Sequence, residues 1–267
     1  MGDARQAWRA LPPPWRAAFE EAWSSWRRGS LSVGAVGTAG EEIVARGHNQ
    51  MFHSGPGPLS ATYMAHAEMN ALAQLPARRG PEYSIYTTFE PSYMCTSALL
   101  FYQVDRVCFA SYDPVWAGMH EWLSTAPWAT RREARHEHLG GELGALGYVL
   151  HVSRLVTAAP RHVIEAHQRV GGPLFHRATD GAVMRSLTEL GANGASTTAA
   201  DALELLWSDL VGLQCYVLHR RGTNPASRYL ISPASDQTRG PESAGRCSRT
   251  GPGMTYRCHR PEGWGGR

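Results

Sequence analysis

Two stretches, AHAEMNAL at 65–72 and TTFEPSYMCTSALL at 87–100, set chemistry-bearing residues at the starts of two helix-like runs. Around them the hydrophobic period alternates between strand and helix. Residues 62–75 carry Met64, Ala67, Ala71 and Leu75 on one helical stripe, while YSIYTTFEP (83–91) is β-branched and aromatic. Residues 95–104 return to a helical pattern and 106–113 to a strand. Upstream, LSVGAVGT (31–38) and EIVARGHN (42–49) flank the turn-forming Ala39-Gly40. Strand, strand, helix, strand, helix, strand implies a three-layer α/β/α domain with helices covering a mixed sheet. Strands joined by helix crossovers should pair parallel, with right-handed connections.

Ahead of the strands, residues 13–27 place Trp15, Phe19, Trp23 and Trp26 on one face of an amphipathic helix, with Arg16, Glu20 and Glu21 opposite. That stripe reads as a docking face. Beyond Pro114 the pattern weakens: a helix or loop, then a strand or helix over ELGALGYVLHVSRLV. Helix-like runs near 161–170, 181–191 and 197–213 form a helical appendage, divided by GGP and GANGAS. The expected organisation is a domain at 13–155, the appendage at 156–218 and a disordered tail at 219–267. The tail holds nine arginines against Asp236, Glu242 and Glu262; the whole chain is at +3, so residues 1–218 carry −3. Five scattered cysteines give no disulfide framework. With no apolar leader and no apolar run of membrane-spanning length, a cytoplasmic protein is expected.

His66-Ala67-Glu68 is a His-x-Glu arrangement, and Pro91-Ser92-Tyr93-Met94-Cys95 opens the next helix. Together with SVGAV (32–36), GHN (47–49), TFEP (88–91) and MCTSALL (94–100), they resemble the cytidine/deoxycytidylate deaminase superfamily, with its His-x-Glu and Pro-Cys-x-x-Cys signature. The guanine and tRNA-adenosine deaminase branch is the most similar. The resemblance covers residues 15–113. It implies a Zn²⁺ ion, one per chain, that activates water for hydrolysis of an amino-heterocycle. It implies His66 and Cys95 as metal ligands and Glu68 as the catalytic proton carrier. Asn49 and the backbone at Ala67 are the implied substrate contacts, with Phe52 and His53 bordering the pocket. It also implies a homodimer.

Ser92 stands where the family has its first cysteine. A neutral hydroxyl is a weaker zinc donor than a thiolate. Three arrangements follow: zinc held by His66, Cys95 and either Ser92 or water; another residue entering, with Asp113, His120 or Cys108 as donors by type; or a metal-free protein that binds or scaffolds. The leading expectation is a deaminase of a small amino-heterocycle, with nucleic acid disfavoured because residues 1–218 are acidic. A nucleic-acid editor aided by the arginine-rich tail is the weaker alternative. Arg135-His136-Glu137-His138, read as helical, splays its two histidines apart and is set aside as a metal pair.

Overall fold

The computed structural model describes residues 3–55, 59–76, 82–115, 134–211, 213, 247–250 and 255–258. Helix α1 (Ala4–Ala10) is followed by α2 (Pro13–Arg27), which begins on a proline whose missing N–H costs nothing at a helix start. The predicted stripe is buried: Trp15, Phe19, Trp23 and Trp26 all face inward, and Trp15 meets Tyr86 edge-on at 5.3 Å. Strands β1 (Gly34–Ala39) and β2 (Glu42–His48) form an antiparallel pair with an irregularity between Gly37 and Thr38. Then come α3 (Ala67–Leu72), β3 (Tyr83–Phe89), α4 (Tyr93–Phe101), β4 (Arg106–Ser111), β5 (Arg135–His138) and the long helix α5 (Gly141–Ala158).

The five strands lie in the order β2-β1-β3-β4-β5. Strands β3, β4 and β5 run parallel, as expected for the crossover through α4. The crossover through α3 skips over β1, so β3 pairs antiparallel with β1 while running in the direction of β2. Successive side chains of a strand point to opposite faces. Tyr86 meets α2, whereas its neighbour Thr87 bonds Glu68 of α3. Helix α5 seats Gly147 against the Thr88 carbonyl, on the α2 side. The result is the expected three-layer α/β/α arrangement, with α2 and α5 on one face of a mixed sheet and α3 and α4 on the other.

Two glycines let helices sit directly on this sheet. A Cβ at Gly34 would lie 2.0 Å from the Ala18 carbonyl oxygen of α2, and one at Gly47 would lie 2.3 Å from the Ala67 carbonyl oxygen of α3. Both obstacles are backbone atoms, which cannot rotate away.

The histidine-bearing segment 135–138 is a strand, not the helix read from sequence. Four residues are too few for periodicity to separate the two. Its register beside β4 puts His136 and His138 on one face, where His138 packs against Phe109 and Tyr112. The segment read as strand or helix is α5. The appendage comprises α6 (Arg161–Val170), α7 (Gly172–Ala178), α8 (Gly181–Ala192) and α9 (Ala199–Leu210). Helix α7 occupies the GGP stretch expected to be a break, with Pro173 tolerated in the first turn. Asp180 caps α8, and Thr198 with Asp201 forms a capping box on α9. In the tail, expected to lack structure, Cys247–Thr250 and Thr255–Cys258 pair as a short antiparallel ribbon. The rest of the tail lies outside the described residues. Among the described residues no helix is long and apolar enough to cross a membrane.

Helix α6 contributes one buried charge-labile group. His167 is 1% exposed, lies 6.1 Å from His151 ring to ring, and is pushed by burial down to about 4. Its neutral form is therefore favoured in the folded state, and the stabilisation, present above the ordinary imidazole value of about 6.5, is lost as pH falls toward 4. At about 1.4 kcal/mol per unit this is worth roughly 3 kcal/mol. Denaturant unfolding at pH 7 and pH 4 should show His167→Leu losing markedly less stability on acidification than the parent; an equal loss refutes the assignment. Gly34→Ala should cost about 3 kcal/mol or more, because overpacking here meets backbone. Thermal melting would show this as a fall of roughly 10 °C, at about 2–4 °C per kcal/mol for a chain of this size.

Candidate metal centre

The candidate site forms where the N-termini of α3 and α4 meet the end of β3. His66 is the N-cap of α3, in extended backbone geometry, and its side chain makes no capping bond, which leaves the imidazole available. One residue into the helix, Ala67 is fully buried and Glu68 is 3% exposed. Thr87, pointing to this face of β3, donates its hydroxyl to Glu68 Oε1 at 3.0 Å. Cys95, in the first turn of α4 and fully buried, places Sγ 3.3 Å from Glu68 Oε2 and 3.5 Å from His66 Nδ1.

Burial pushes the Cys95 thiol well above its ordinary value, and the Glu68 charge adds to the effect. Sequence alone suggested a thiolate favoured by the helix start; desolvation outweighs that dipole, and the metal-free thiol is neutral. His66 is pulled down by burial against the opposing pull of Glu68, so it is neutral, the form that binds metal.

Ser92 is the N-cap of α4, and its Oγ accepts the Cys95 N–H at 3.5 Å. Serine is a favoured capping residue, so the substitution preserves the helix start while removing a sulfur. Cys108, one of the alternative donors, lies on β4 with Sγ 3.8 Å from Glu137 Oε2, and burial pushes it up to about 12. Asp113 accepts the Val115 N–H, and its own N–H donates to Glu90. Neither joins the cluster of His66, Glu68 and Cys95, whose ligand atoms all lie within 4.8 Å of one another. His120 lies outside the described residues.

The residue types fit zinc. A tetrahedral zinc with bonds of about 2.3 Å to sulfur and about 2.0–2.1 Å to nitrogen or oxygen has ligand-to-ligand edges of about 3.5 Å. The two distances from Cys95 Sγ match such edges without rearrangement.

Asn49, 2% exposed, is fixed beside this cluster by the backbone. Gln50 N–H donates to the Ala65 carbonyl at 2.8 Å, which ties the turn after β2 to the residue before His66. The Asn49 carbonyl oxygen accepts from Ser30 Oγ at 2.7 Å and from the Met51 N–H at 3.1 Å, which turns the side-chain NH₂ toward the remaining space. Phe52 and His53 sit on the same turn. Phe52 is 41% exposed, and His53 stacks on His48 at 5.8 Å. His48 in turn meets Glu21 at 3.0 Å, so the His53 ring is drawn toward the α2 side. Sequence reasoning missed Thr87, Ser30 and His151. Thr87 was accessible from the alternation along β3. Nothing local marks Ser30, which orients Asn49 from a loop, or His151, which stacks under Phe89 at 4.1 Å from a helix read ambiguously.

The profile of the cytidine and deoxycytidylate deaminase zinc-binding region matches residues 14–111. A tRNA-specific adenosine deaminase of Aquifex aeolicus is 30% identical over 108 residues, 39% of this chain and 68% of that protein. The chain belongs to the cytidine and deoxycytidylate deaminase family. A tRNA-specific adenosine deaminase of Bacillus subtilis is 32% identical over 103 residues, covering 37% of this chain and 60% of that protein. A cytosine deaminase of Candida albicans is 30% identical over 96 residues, 34% and 60% of the two chains. The match thus spans about 60% of the length of the Bacillus and Candida relatives, and it stops before β5. The expectation that nucleic acid is disfavoured finds no support, because proteins named as tRNA-specific deaminases are among the relatives.

Thr87→Val removes the hydroxyl that satisfies Glu68 Oε1 while conserving shape. The unpaired buried oxygen should lower stability by about 1–3 kcal/mol, read as a shifted urea midpoint at constant slope. An unchanged midpoint would mean that Glu68 finds another donor.

Proposed function

We propose that this deaminase-family chain hydrolyses an amino-heterocycle, a nucleobase, nucleoside or related metabolite, using zinc held by His66 and Cys95. The observation that carries the reading is a buried carboxylate packed between a neutral imidazole and a thiol at two converging helix starts. Such a group is expensive to bury without a use, and each member is a type that zinc hydrolysis needs.

Zinc bound there supplies a Lewis acid and a water that ionises near neutral pH. The chain's own groups do the rest. Glu68 takes a proton from the attacking water and returns it to the ring nitrogen and then to the departing amine, so that R–NH₂ and water become R=O and ammonia. Thr87 holds the far carboxylate oxygen, which aims the near one at the reacting centre. The Asn49 NH₂, turned outward by Ser30, donates to an acceptor on the ring. The buried backbone at Ala67 forms the wall against which a planar ring rests. A homodimer and a cytoplasmic location accompany this reading.

A second reading, deamination of an adenosine within RNA, is favoured by the relatives named for tRNA and by the nine arginines of the tail. Ammonia release from free cytosine, guanine, adenosine and deoxycytidylate, set beside inosine formation in unmodified tRNA, separates the two. Turnover of the small molecules alone supports the first, and turnover of tRNA alone the second. In either case Glu68→Gln should lower kcat at least about 100-fold while leaving the circular dichroism spectrum unchanged. Full turnover by that variant would sink the mechanism.

A further inference from the structure

Replacing a cysteine by Ser92 leaves the metal centre one anionic donor short, and the structure contains a replacement. Glu68 Oε2 lies 3.3 Å from Cys95 Sγ, the same separation class as the 3.5 Å between Cys95 Sγ and His66 Nδ1. All three ligand atoms fall within 4.8 Å. Glu68 Oε1 is held by Thr87, so Oε2 is the oxygen presented to the other two donors. We propose that Glu68 is the third protein donor to the zinc, occupying the position that Ser92 left without a sulfur.

This inference rests on the zinc reading above and adds a role for a residue otherwise counted only as a proton carrier. The charge balance supports it. One imidazole with two thiolates presents two negative charges to Zn²⁺; one imidazole, one thiolate and one carboxylate present the same two. Carboxylate oxygen is an accepted zinc donor, whereas a serine hydroxyl is neutral and a poor one. Ser92 Oγ meanwhile accepts the Cys95 N–H at the helix start. The competing account is that the neutral Cys95 thiol merely donates a hydrogen bond to the carboxylate, which would place Glu68 beside the metal centre but not on the ion.

The two accounts differ in how Glu68 depends on residue 92. A residue that only supports a metal site costs about 10–100-fold in affinity when removed. Its contribution persists whatever the third ligand is. A true ligand matters only while no better donor competes.

The experiment uses the full chain in four forms: the parent, Glu68→Gln, Ser92→Cys and the double variant. Zinc affinity is measured by competition with a chromophoric chelator, and melting curves confirm that each form is folded. In the parent background Glu68→Gln should weaken zinc more than about 100-fold, and in the Ser92→Cys background by no more than about 10-fold. Cobalt(II) loading supplies a second readout. Glu68→Gln should shift the d–d bands when residue 92 is serine and leave them in place when it is cysteine. Equal losses in both backgrounds, or bands that do not move in either, would overturn Glu68 as a ligand while leaving the zinc reading intact. Absence of zinc binding in all four folded forms would overturn both. A ligated carboxylate is a weak base, so Ser92→Cys should also raise turnover by freeing Glu68.

Discussion

The Glu68 carboxylate joins the three parts of this structure that have to agree. One oxygen is bonded to the central strand through Thr87, the other faces Cys95 on α4, and the residue itself lies in the first turn of α3. A buried carboxylate with fewer partners would be penalised by several kcal/mol. The pairing therefore constrains where both helices begin and how β3 is turned, so the geometry of the reactive groups is a by-product of satisfying one charge. The glycine contacts act in the same direction. Gly47 lets α3 rest on the β2 backbone, and a side chain there would lift the helix that carries His66 and Glu68.

Much of this could be read before any coordinates. The six-element core follows from alternating hydrophobic periods, and the α2 stripe from aromatic spacing. The proximity of His66, Glu68 and Cys95 was legible because all three sit at helix starts after strands, where chain topology gathers residues. What escaped had physical causes. Residues 135–138 are too short for periodicity to speak, and the strand forms because β4 offers an open edge. The glycine-rich α5 looks like a poor helix, but Gly144 and Gly147 allow it to lie within van der Waals reach of the Ala110 and Thr88 carbonyls, so tertiary packing overrides propensity. The thiol state of Cys95 was misread because a helix-start dipole is visible in sequence whereas burial is not.

Family similarity ends near β4, yet the chain continues through four more helices that build on the shared core. Helix α9 packs on α5, on α2 and on α1, and its first N–H groups reach the Glu20 carboxylate at 3.1–3.2 Å. These contacts cover the outer side of α2, opposite the sheet.

The stacked pair Trp23 and Trp26, with ring centroids 5.0 Å apart, shows what that coverage entails. Trp23 Nε1 donates to the Thr197 carbonyl at 3.1 Å, and Trp26 Nε1 to Ser153 Oγ at 2.9 Å, while the Arg154 guanidinium lies 3.9 Å above the Trp26 ring. Both indoles belong to the family-matched segment, but their polar ends are satisfied by residues beyond it. The evolutionary consequence is entrenchment. Once α2 adopted two tryptophans that rely on downstream helices, the core could no longer shed those helices without leaving two large rings and their N–H groups stranded in water-facing positions, so shared core and added segment must now be inherited as one unit.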